Sequence, residues 1–556
     1  MQSNFDIVIV GFGPVGQFAA NVLNQYNLKI AVIEKSQDIY LKPRANNLDD
    51  EIMRRISHFN DFKKFKNKAS APNFIEFNFP NGKNIQRNSV KKTSNGFSPV
   101  NMFYQPEFET FLYQNIYFSK NIDFYFDNEL IDFKEKSKEL TLTTSSSDKK
   151  TNKIFKTNYL LACDGAESFI RNNLGITQLD LQYNKDWLII DIELNRGVSL
   201  DKVARQICDP DRPMAFLYTS KTKHRFELQL LAGEDPDEMK SKDTISKLLS
   251  KWLKPSQYSI ERREVYKFKA EKANLWKMGQ IFLLGDAAHQ IPPYAGQGLS
   301  SGIRDVVNLC WKLNLVINHS LSDSMLESYQ IERELHLEET IKSSIALGKL
   351  IDSLGMAYRK KIPLADAVAP EAREQAFGGS KSNLSKDINP GIYFNSLEHN
   401  YAGKLLPKFK LKNKLDKEVD LDDLLKGNFA IISDGDIKKY LNEKSIKIFK
   451  KLNTSLINIH EYSFKNAEFR EIVKSGNIIV RPDLFIYGVT DSENNLYEIS
   501  NQLFDTLINA TPTAKTSPKI VDKKTTSKVK GTPFRILKND SYINSNLIMS
   551  SPLQNL

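Results

Sequence analysis

Apolar and polar positions along this chain follow two periods, and the switches between them mark its elements. Phe5 to Val10 ("FDIVIV") is almost wholly apolar and ends at Gly11, as a strand buried on both faces does. "PVGQFAANVLNQY" then takes the helical period and "KIAVIE" returns to a buried strand, which together predict a βαβ unit. "PEFETFLYQNIY" reads as a helix, and "NIDFYF", "ELTLTT" and "NYLLACD" read as strands. Between about Trp187 and Lys269 the chain is rich in strands ("WLIIDIEL", "MAFLY", "HRFELQLL", "REVYKFKA"), which predicts a second sheet inserted into the first domain. "QIFLLGD" is again a strand. From Gln297 the apolar positions Leu299, Ile303, Val306, Val307, Cys310 and Leu313 follow helical spacing, and "DSMLESYQIERELHLEETIKSSIALGKLI" extends a further helix. The stretch from Pro363 to about Tyr401 is mixed and reads as loop-rich, and strands "FAIIS", "LINIH" and "LFIYG" belong to a third domain. No internal repeat is present. The expected organisation is an α/β domain in two parts, 1–180 and 271–400, with an inserted β-rich domain at 181–270, a further domain at 401–510 and a tail at 511–556.

Composition sharpens this picture in two places. The net charge of +11 suggests a nucleic-acid partner until its distribution is considered. Thr511 to Leu556 holds eight Lys/Arg and two Asp/Glu in a Ser/Thr/Pro-rich setting, so more than half of the excess lies in a tail expected to be disordered. The rest of the chain is close to neutral for its size, and no nucleic-acid partner is expected. Cys163, Cys208 and Cys310 are widely separated and no C-x-x-C occurs, which argues against a disulfide framework or a metal site and fits a reducing, cytoplasmic setting. No apolar run is long enough to span a membrane, and the N-terminus lacks the flanks of a signal peptide.

Candidate chemistry begins at Gly11-Phe12-Gly13-Pro14-Val15-Gly16, a G-x-G-x-x-G that closes a strand and opens a helix. The first glycine suits a tight turn. The second lets a pyrophosphate approach backbone N–H groups at the helix N-terminus, and the third permits close helix–strand packing. Glu34, followed by Lys35, ends the second strand 18 residues after Gly16 and is placed to accept from a ribose hydroxyl. This is a Rossmann-type dinucleotide fold, and the pattern alone leaves open which dinucleotide it takes.

The stretch "QIFLLGDAAHQIPPYAGQGLSSGIRDVVNLCWKL" resembles the second flavin-binding motif of the group A flavoprotein monooxygenases, with Asp286, Pro292, Pro293, Gly296, Gln297, Gly298 and Leu299 matching. In that family the Asp bonds the ribityl chain of FAD and the Pro-Gly-rich run lies against the isoalloxazine ring. A helix starting near Gly298 would also direct N–H groups at the anionic edge of a reduced flavin. "LLACDGAESFIR" resembles the family's Asp-Gly motif, where Asp164, Gly165 and Arg171 match. Arg44 in "KPRANNLDDEIMRRI" matches an arginine near the FAD pyrophosphate, and Gln105 in "FYQPEFETFL" matches a flavin-contacting glutamine. "WLIIDIEL", "QICDPDRP", "LESYQIERELH" and "NIIVRPDLFIYGV", with Arg481-Pro482-Asp483, are similar to the 3-(3-hydroxyphenyl)propionate hydroxylase branch, which carries a C-terminal thioredoxin-like domain. No cysteine follows Cys310, so such a domain here would be structural or serve packing in a homodimer.

The resemblance implies non-covalent FAD, NAD(P)H as a transient co-substrate, and hydroxylation of a phenolic or other electron-rich aromatic substrate through a flavin C4a-hydroperoxide. A tailoring hydroxylase of a fused-ring polyketide and a flavin-binding protein without turnover are the rival readings. Pro293, Tyr294 and Asn46 are the candidate catalytic positions, with Tyr294 equally readable as core. Asn46 stands where related phenol hydroxylases use an Asp, with Asp49 and Asp50 close by, and Ser300 replaces a common Asn. His289 is read as structural. Trp187, Arg205, Tyr218, Phe226, Gln229 and Pro293 are candidate substrate contacts, with Arg205 a partner for a substrate carboxylate.

Overall fold

The computed structural model describes residues 2–363, 366, 388, 392, 401–435, 437, 441–490 and 493–507, within a compact unit spanning Met1–Ile520. Most of the Pro363–Tyr401 stretch and all of the 511–556 tail lie outside the described residues. The first sheet runs, neighbour by neighbour, Lys277–Met278, Ile281–Leu283, Asn152–Ala162, Gln2–Val10, Ile30–Ile33 and Ile122–Tyr125. The last five of these are parallel. A hairpin of Glu129–Lys136 and Glu139–Ser145 extends from the side of Asn152–Ala162. The apolar runs of the sequence become the buried centre of this sheet: Ile7, Val8, Ile9, Ile30, Ala31 and Val32 are fully buried. The helix Pro14–Asn24 lays Phe18, Ala19, Ala20 and Leu23 on it. Two long helices, Gly298–His319 and Ser328–Lys360, follow the strand Ile281–Leu283.

The second sheet also has eight strands, in the order His289–Gln290, Tyr258–Ala273, Gln178–Leu194, Lys223–Gln229, Met214–Tyr218, Val203–Ile207, Phe74–Asn78 and Asn84–Ser89. It reaches beyond residues 181–270. Phe74–Asn78 lies parallel to Val203–Ile207, and Asn84–Ser89 forms the edge. Those two strands were not read from the pattern because one is short and the other, on the edge, is polar and largely solvated. Strand alternation gives this sheet two unlike faces. Leu188, Ile190, Ile192, Phe226 and Leu228 pack on Ile245 and Leu249 of the helix Lys242–Leu249. The opposite face carries Trp187, Ile189, Asp191, Arg225, Glu227 and Gln229, which lie in register across two strands.

Residues 401–507 carry a four-stranded sheet in the order Ser455–Asn458, Ala430–Ser433, Asn477–Val480, Ile486–Thr490. Its first pair is parallel and the others antiparallel. Buried charges tie it to the long helices. Arg481 donates to both oxygens of Glu332 (2.8 and 2.9 Å) and to Asp483. Lys312 also donates to Glu332, and Trp311 to Asp483. Arg481 and Lys312 hold the Glu332 carboxyl far below the ordinary range despite its burial. No described helix is long and apolar enough to cross a membrane.

Removing one partner from such a network leaves an uncompensated buried charge. Arg481→Ala is expected to destabilise the chain by about 3–5 kcal/mol, read as a lower midpoint in urea unfolding. Because the Glu332 pKa is depressed, the stability it contributes is complete above about pH 4.5 and is lost as pH falls toward its folded-state value. An unchanged midpoint in the variant at pH 7 would show that the network contributes nothing.

Candidate active site

The turn after the first strand fixes the geometry of one end of the cleft. Gly11 has φ +95°, and a Cβ there would overlap the carbonyl of Cys163. A Cβ on Gly16 would overlap the carbonyl of Gly11, while one on Gly13 would meet nothing within 4 Å. The outer glycines are therefore required by packing, and the middle one leaves space open at the N-terminus of the helix Pro14–Asn24. Pro14 starts that helix, where a missing N–H costs nothing. Glu34 accepts from Phe12 N (2.7 Å) and Ser36 N (2.8 Å), so its carboxylate faces the turn with lone pairs to spare. Lys35 stands exposed at the rim.

The second loop is held from behind. Gly285 (φ +59°) packs on Val15, and a Cβ on Gly302 would come within 2.7 Å of the same valine. Fully buried Asp305 accepts from Gly285 N (3.0 Å), His289 Nε2 (2.7 Å) and Arg333 Nε (3.0 Å). Those donors hold its pKa down against burial. His289 is buried and held by Asp305. Ser344 of the long helix donates to Pro292 O (2.7 Å). Pro293–Ala295 form one tight turn, Gly296 is left-handed (φ +60°), and the helix Gly298–His319 begins with N–H groups that have no intrahelical acceptors. Leu299, partly buried, packs its side chain against the core. Asp286 stands in the crevice beside this loop, accessible yet crowded by protein, and that crowding raises its pKa. Arg171 donates to Ala287 O (3.0 Å) and Ala166 O (2.8 Å), linking the Asp164-Gly165 motif to the Asp286 loop. Asp164 Oδ2 accepts from Ile170 N (3.1 Å), while Oδ1 is buried without a partner.

A third segment closes the cleft. Gln105 Oε1 accepts from Arg44 N (2.9 Å) and Ala45 N (2.6 Å), and its Nε2 donates to Glu109 (2.6 Å). Gln105 therefore holds the Arg44 loop with its oxygen, and only its second amide hydrogen is left for a cofactor. Arg44 is exposed and stacks on Tyr40. Asn46 Nδ2 is a buried donor without a partner, and an amide cannot serve as a base. The carboxylates beside it are already used: Asp49 caps the helix Asp50–Ile56 and pairs with Arg304, and Asp50 accepts from Thr93 and Asn95.

Sheet register corrects half of the candidate substrate contacts. Trp187 and Gln229 stand on the face that meets the first domain: Arg225, on the same face, donates to Arg44 O, and Trp187 stacks edge-on against Tyr294. Phe226 and Tyr218 point the other way, Phe226 against Trp252 and Tyr218 beside His224. Arg205 shares that far face with Phe216, and Glu76 (2.7 Å) and Asp201 (2.9 Å) take its charge. Tyr294 is also corrected. A Cβ on Gly348 would overlap its ring, its hydroxyl bonds that of Tyr183 (2.9 Å), and burial raises its pKa far above the ordinary value. These contacts anchor the loop. Sequence reasoning missed Tyr183, Gly348 and the alternating Arg225 and Glu227, although the strand alternation would have put the last two on one face.

Comparisons with known proteins identify a family and a fold. The profile of the family described as "FAD binding domain" matches residues 4–344. The 3-(3-hydroxy-phenyl)propionate/3-hydroxycinnamic acid hydroxylase of Escherichia coli O157:H7 (strain EC4115) is 28% identical over 475 residues, 83% of each chain. That of Escherichia coli K12 is 30% identical over 352 residues, 63% of each chain. Two solved structures share the fold: the flavin-dependent monooxygenase PieE in complex with FAD and substrate (TM-score 0.76, 17% identity, 90% of this chain and 99% of that one), and aklavinone-11 hydroxylase with FAD and aklavinone (TM-score 0.73, 16% identity, the same coverage).

The open face of Gly13, the unpartnered Asp286 and the orphaned Asp164 Oδ1 suit a flavin dinucleotide. Gly13→Val is expected to abolish FAD retention in a chain that still folds by circular dichroism. Asp286→Ala is expected to weaken FAD by roughly 1.5–3 kcal/mol, about 10- to 150-fold in Kd. Wild-type affinity in both variants would put the cofactor elsewhere.

Proposed function

The chain belongs to the FAD-binding family of flavin-dependent aromatic hydroxylases, and from that premise we propose that it hydroxylates a phenolic substrate with NAD(P)H and O2. The observation that carries this reading is the meeting of the flavin-type loop, Pro292 to Gly298, with the polar face of the second sheet. FAD, when bound, would supply the redox chemistry, hydride acceptance from NAD(P)H and activation of oxygen.

The protein's own residues would provide position, dryness and charge. The Gly11–Gly16 turn and the helix Pro14–Asn24 would hold the pyrophosphate by backbone N–H groups, with Arg44 adding charge and Glu34 accepting from ribose. Gly165 and Asp164 would line the adjoining wall, and Asp286 would accept from the ribityl chain. Pro292, Pro293 and Gly296 would lie along the flat ring, with Gly298 and the N–H of Leu299 directing positive potential at its anionic edge. Arg262, buried, bonded to Tyr40 and stacked on Tyr266, has Nε and Nη1 without partners among the described residues, which would suit an anionic co-substrate approaching on the Arg44 side. Pro293 and Asn46 would face the substrate, Asn46 through its free Nδ2.

We assign the second sheet to substrate binding. Its inner face, with Trp187 and Ile189 buried, would exclude water from the reacting edge, without which reduced flavin and oxygen yield only peroxide. The four-stranded sheet of residues 401–507 fits a thioredoxin-like domain without cysteines, serving structure.

NAD(P)H oxidation should be slow and yield hydrogen peroxide alone, and a phenolic substrate should accelerate it and couple it to product. With 18O2, one labelled atom should enter the ring and one should appear in water; unlabelled product, or full activity without oxygen, would exclude monooxygenation. Pro293→Ala is expected to raise peroxide leakage more than it weakens FAD binding. Loss of FAD with coupling intact in the remaining holoenzyme would make the loop a cofactor clamp.

A further inference from the structure

Glu227 stands on the inner face of the second sheet with no hydrogen-bond donor among the described residues. Its neighbours in register are Ile189 and Ala215, both buried and apolar. Its nearest counter-charge is Arg225 Nη1 at 3.8 Å, beyond hydrogen-bond reach. That guanidinium is already held by both oxygens of Asp191 (2.7 and 3.0 Å) and by the carbonyl of Arg44. Its side chain keeps 14% of its surface open, on the face of the sheet that carries Trp187 and Arg225. One register pair along the same face, Trp187 stacks edge-on against Tyr294 of the Pro293–Ala295 turn, so this face of the sheet meets the loop. Burying a carboxylate without a donor is costly, and the cost is recovered when a ligand brings the donor. The acids near Asn46 cannot take this part, because Asp49 and Asp50 are paired elsewhere.

We propose that Glu227 accepts the hydrogen bond, and in the reaction the proton, of the ring hydroxyl of a phenolic substrate. This rests on the function proposed above and identifies the substrate as one presenting a free hydroxyl to the sheet. In the step the phenol O–H bond breaks, its proton forms an O–H bond to Glu227, and the electron pair stays on the phenolate oxygen, which activates the ring. The groups facing Glu227 are Arg225 and Asp191 on its own sheet, with Arg262 and Glu264 two strands away on the same face. Tyr294, bonded to Tyr183, faces it from the loop, and Lys185, paired with Asp352, marks the long helix beyond. Burial raises the Glu227 pKa to about 7, and Asp191 adds to the rise while Arg225 opposes it. The accepting form is therefore gained as pH rises through 7.

The test uses FAD-loaded protein and two probes, 3-ethylphenol and its methyl ether, with binding read from the perturbation of flavin absorbance. Wild type should prefer the phenol by about tenfold or more at pH 8, and the preference should shrink at pH 6 as Glu227 protonates. Glu227→Gln should lose the pH dependence, and Glu227→Leu should lose the preference at both pH values, each with FAD affinity unchanged. Turnover in Glu227→Gln should fall at least tenfold with more peroxide. A Glu227→Gln variant that keeps the pH-dependent preference and normal coupling overturns the role of Glu227 while leaving the hydroxylase reading intact. A wild type that binds neither probe, with no phenol accelerating NAD(P)H oxidation, overturns both.

Discussion

Three stretches of backbone meet behind the cleft with no room for a methyl group between them. Gly11 lies against the Cys163 carbonyl, Gly16 against the Gly11 carbonyl, and Gly302 against Val15 and Gly285. This approach brings two helix N-termini, at Pro14 and Gly298, and the Asp286 loop to one opening. Any side chain at these glycines would push the elements apart and separate the pieces that a flat, anionic cofactor must contact together. The cleft is thus a consequence of packing at the end of a parallel sheet, where ligands of α/β folds bind.

Charge completes what packing begins. The loop that would face the flavin is supported from below by Asp305, whose three donors come from the loop itself (Gly285, His289) and from the long helix (Arg333). Asp305 is satisfied by these three donors, so its carboxylate is committed to holding the loop. Asp286 and Glu227 differ: neither has a hydrogen-bond donor among the described residues, and both keep part of their side chain open to solvent. Polar groups that the fold leaves unpaired mark where it expects a ligand.

Much of the first domain was legible because its signals are local. A strand ending in Gly11, a helix opening at Pro14 and an acid at Glu34 need no distant partner to be recognised, and Asp286 and the Pro292–Gly298 run announce a backbone that must bend close to something. What the sequence hid depends on register. Arg205, Tyr218 and Phe226 sit on real strands but on the wrong face, and a one-residue change of register exchanges faces. Phe74–Asn78 and Asn84–Ser89 joined the second sheet from far upstream, which no local pattern reveals. Gly348 makes room for Tyr294 across 54 residues of chain, and without that notch the tyrosine was as easily placed facing a substrate. Glu227 lies in a strand that the sequence shows, but only the third dimension shows that Arg225 is already taken.

The central claim is that the glycine turn, the Asp286 loop and the inner sheet face form one site for FAD and a phenol. A crystal structure of the chain grown with FAD and 3-ethylphenol tests this most directly. The account predicts the pyrophosphate at Gly13, the ribityl chain at Asp286, the ring along Pro292–Gly298, and the phenol oxygen within hydrogen-bond distance of Glu227. A flavin bound elsewhere, or a phenol whose hydroxyl turns away from the second sheet, would contradict it.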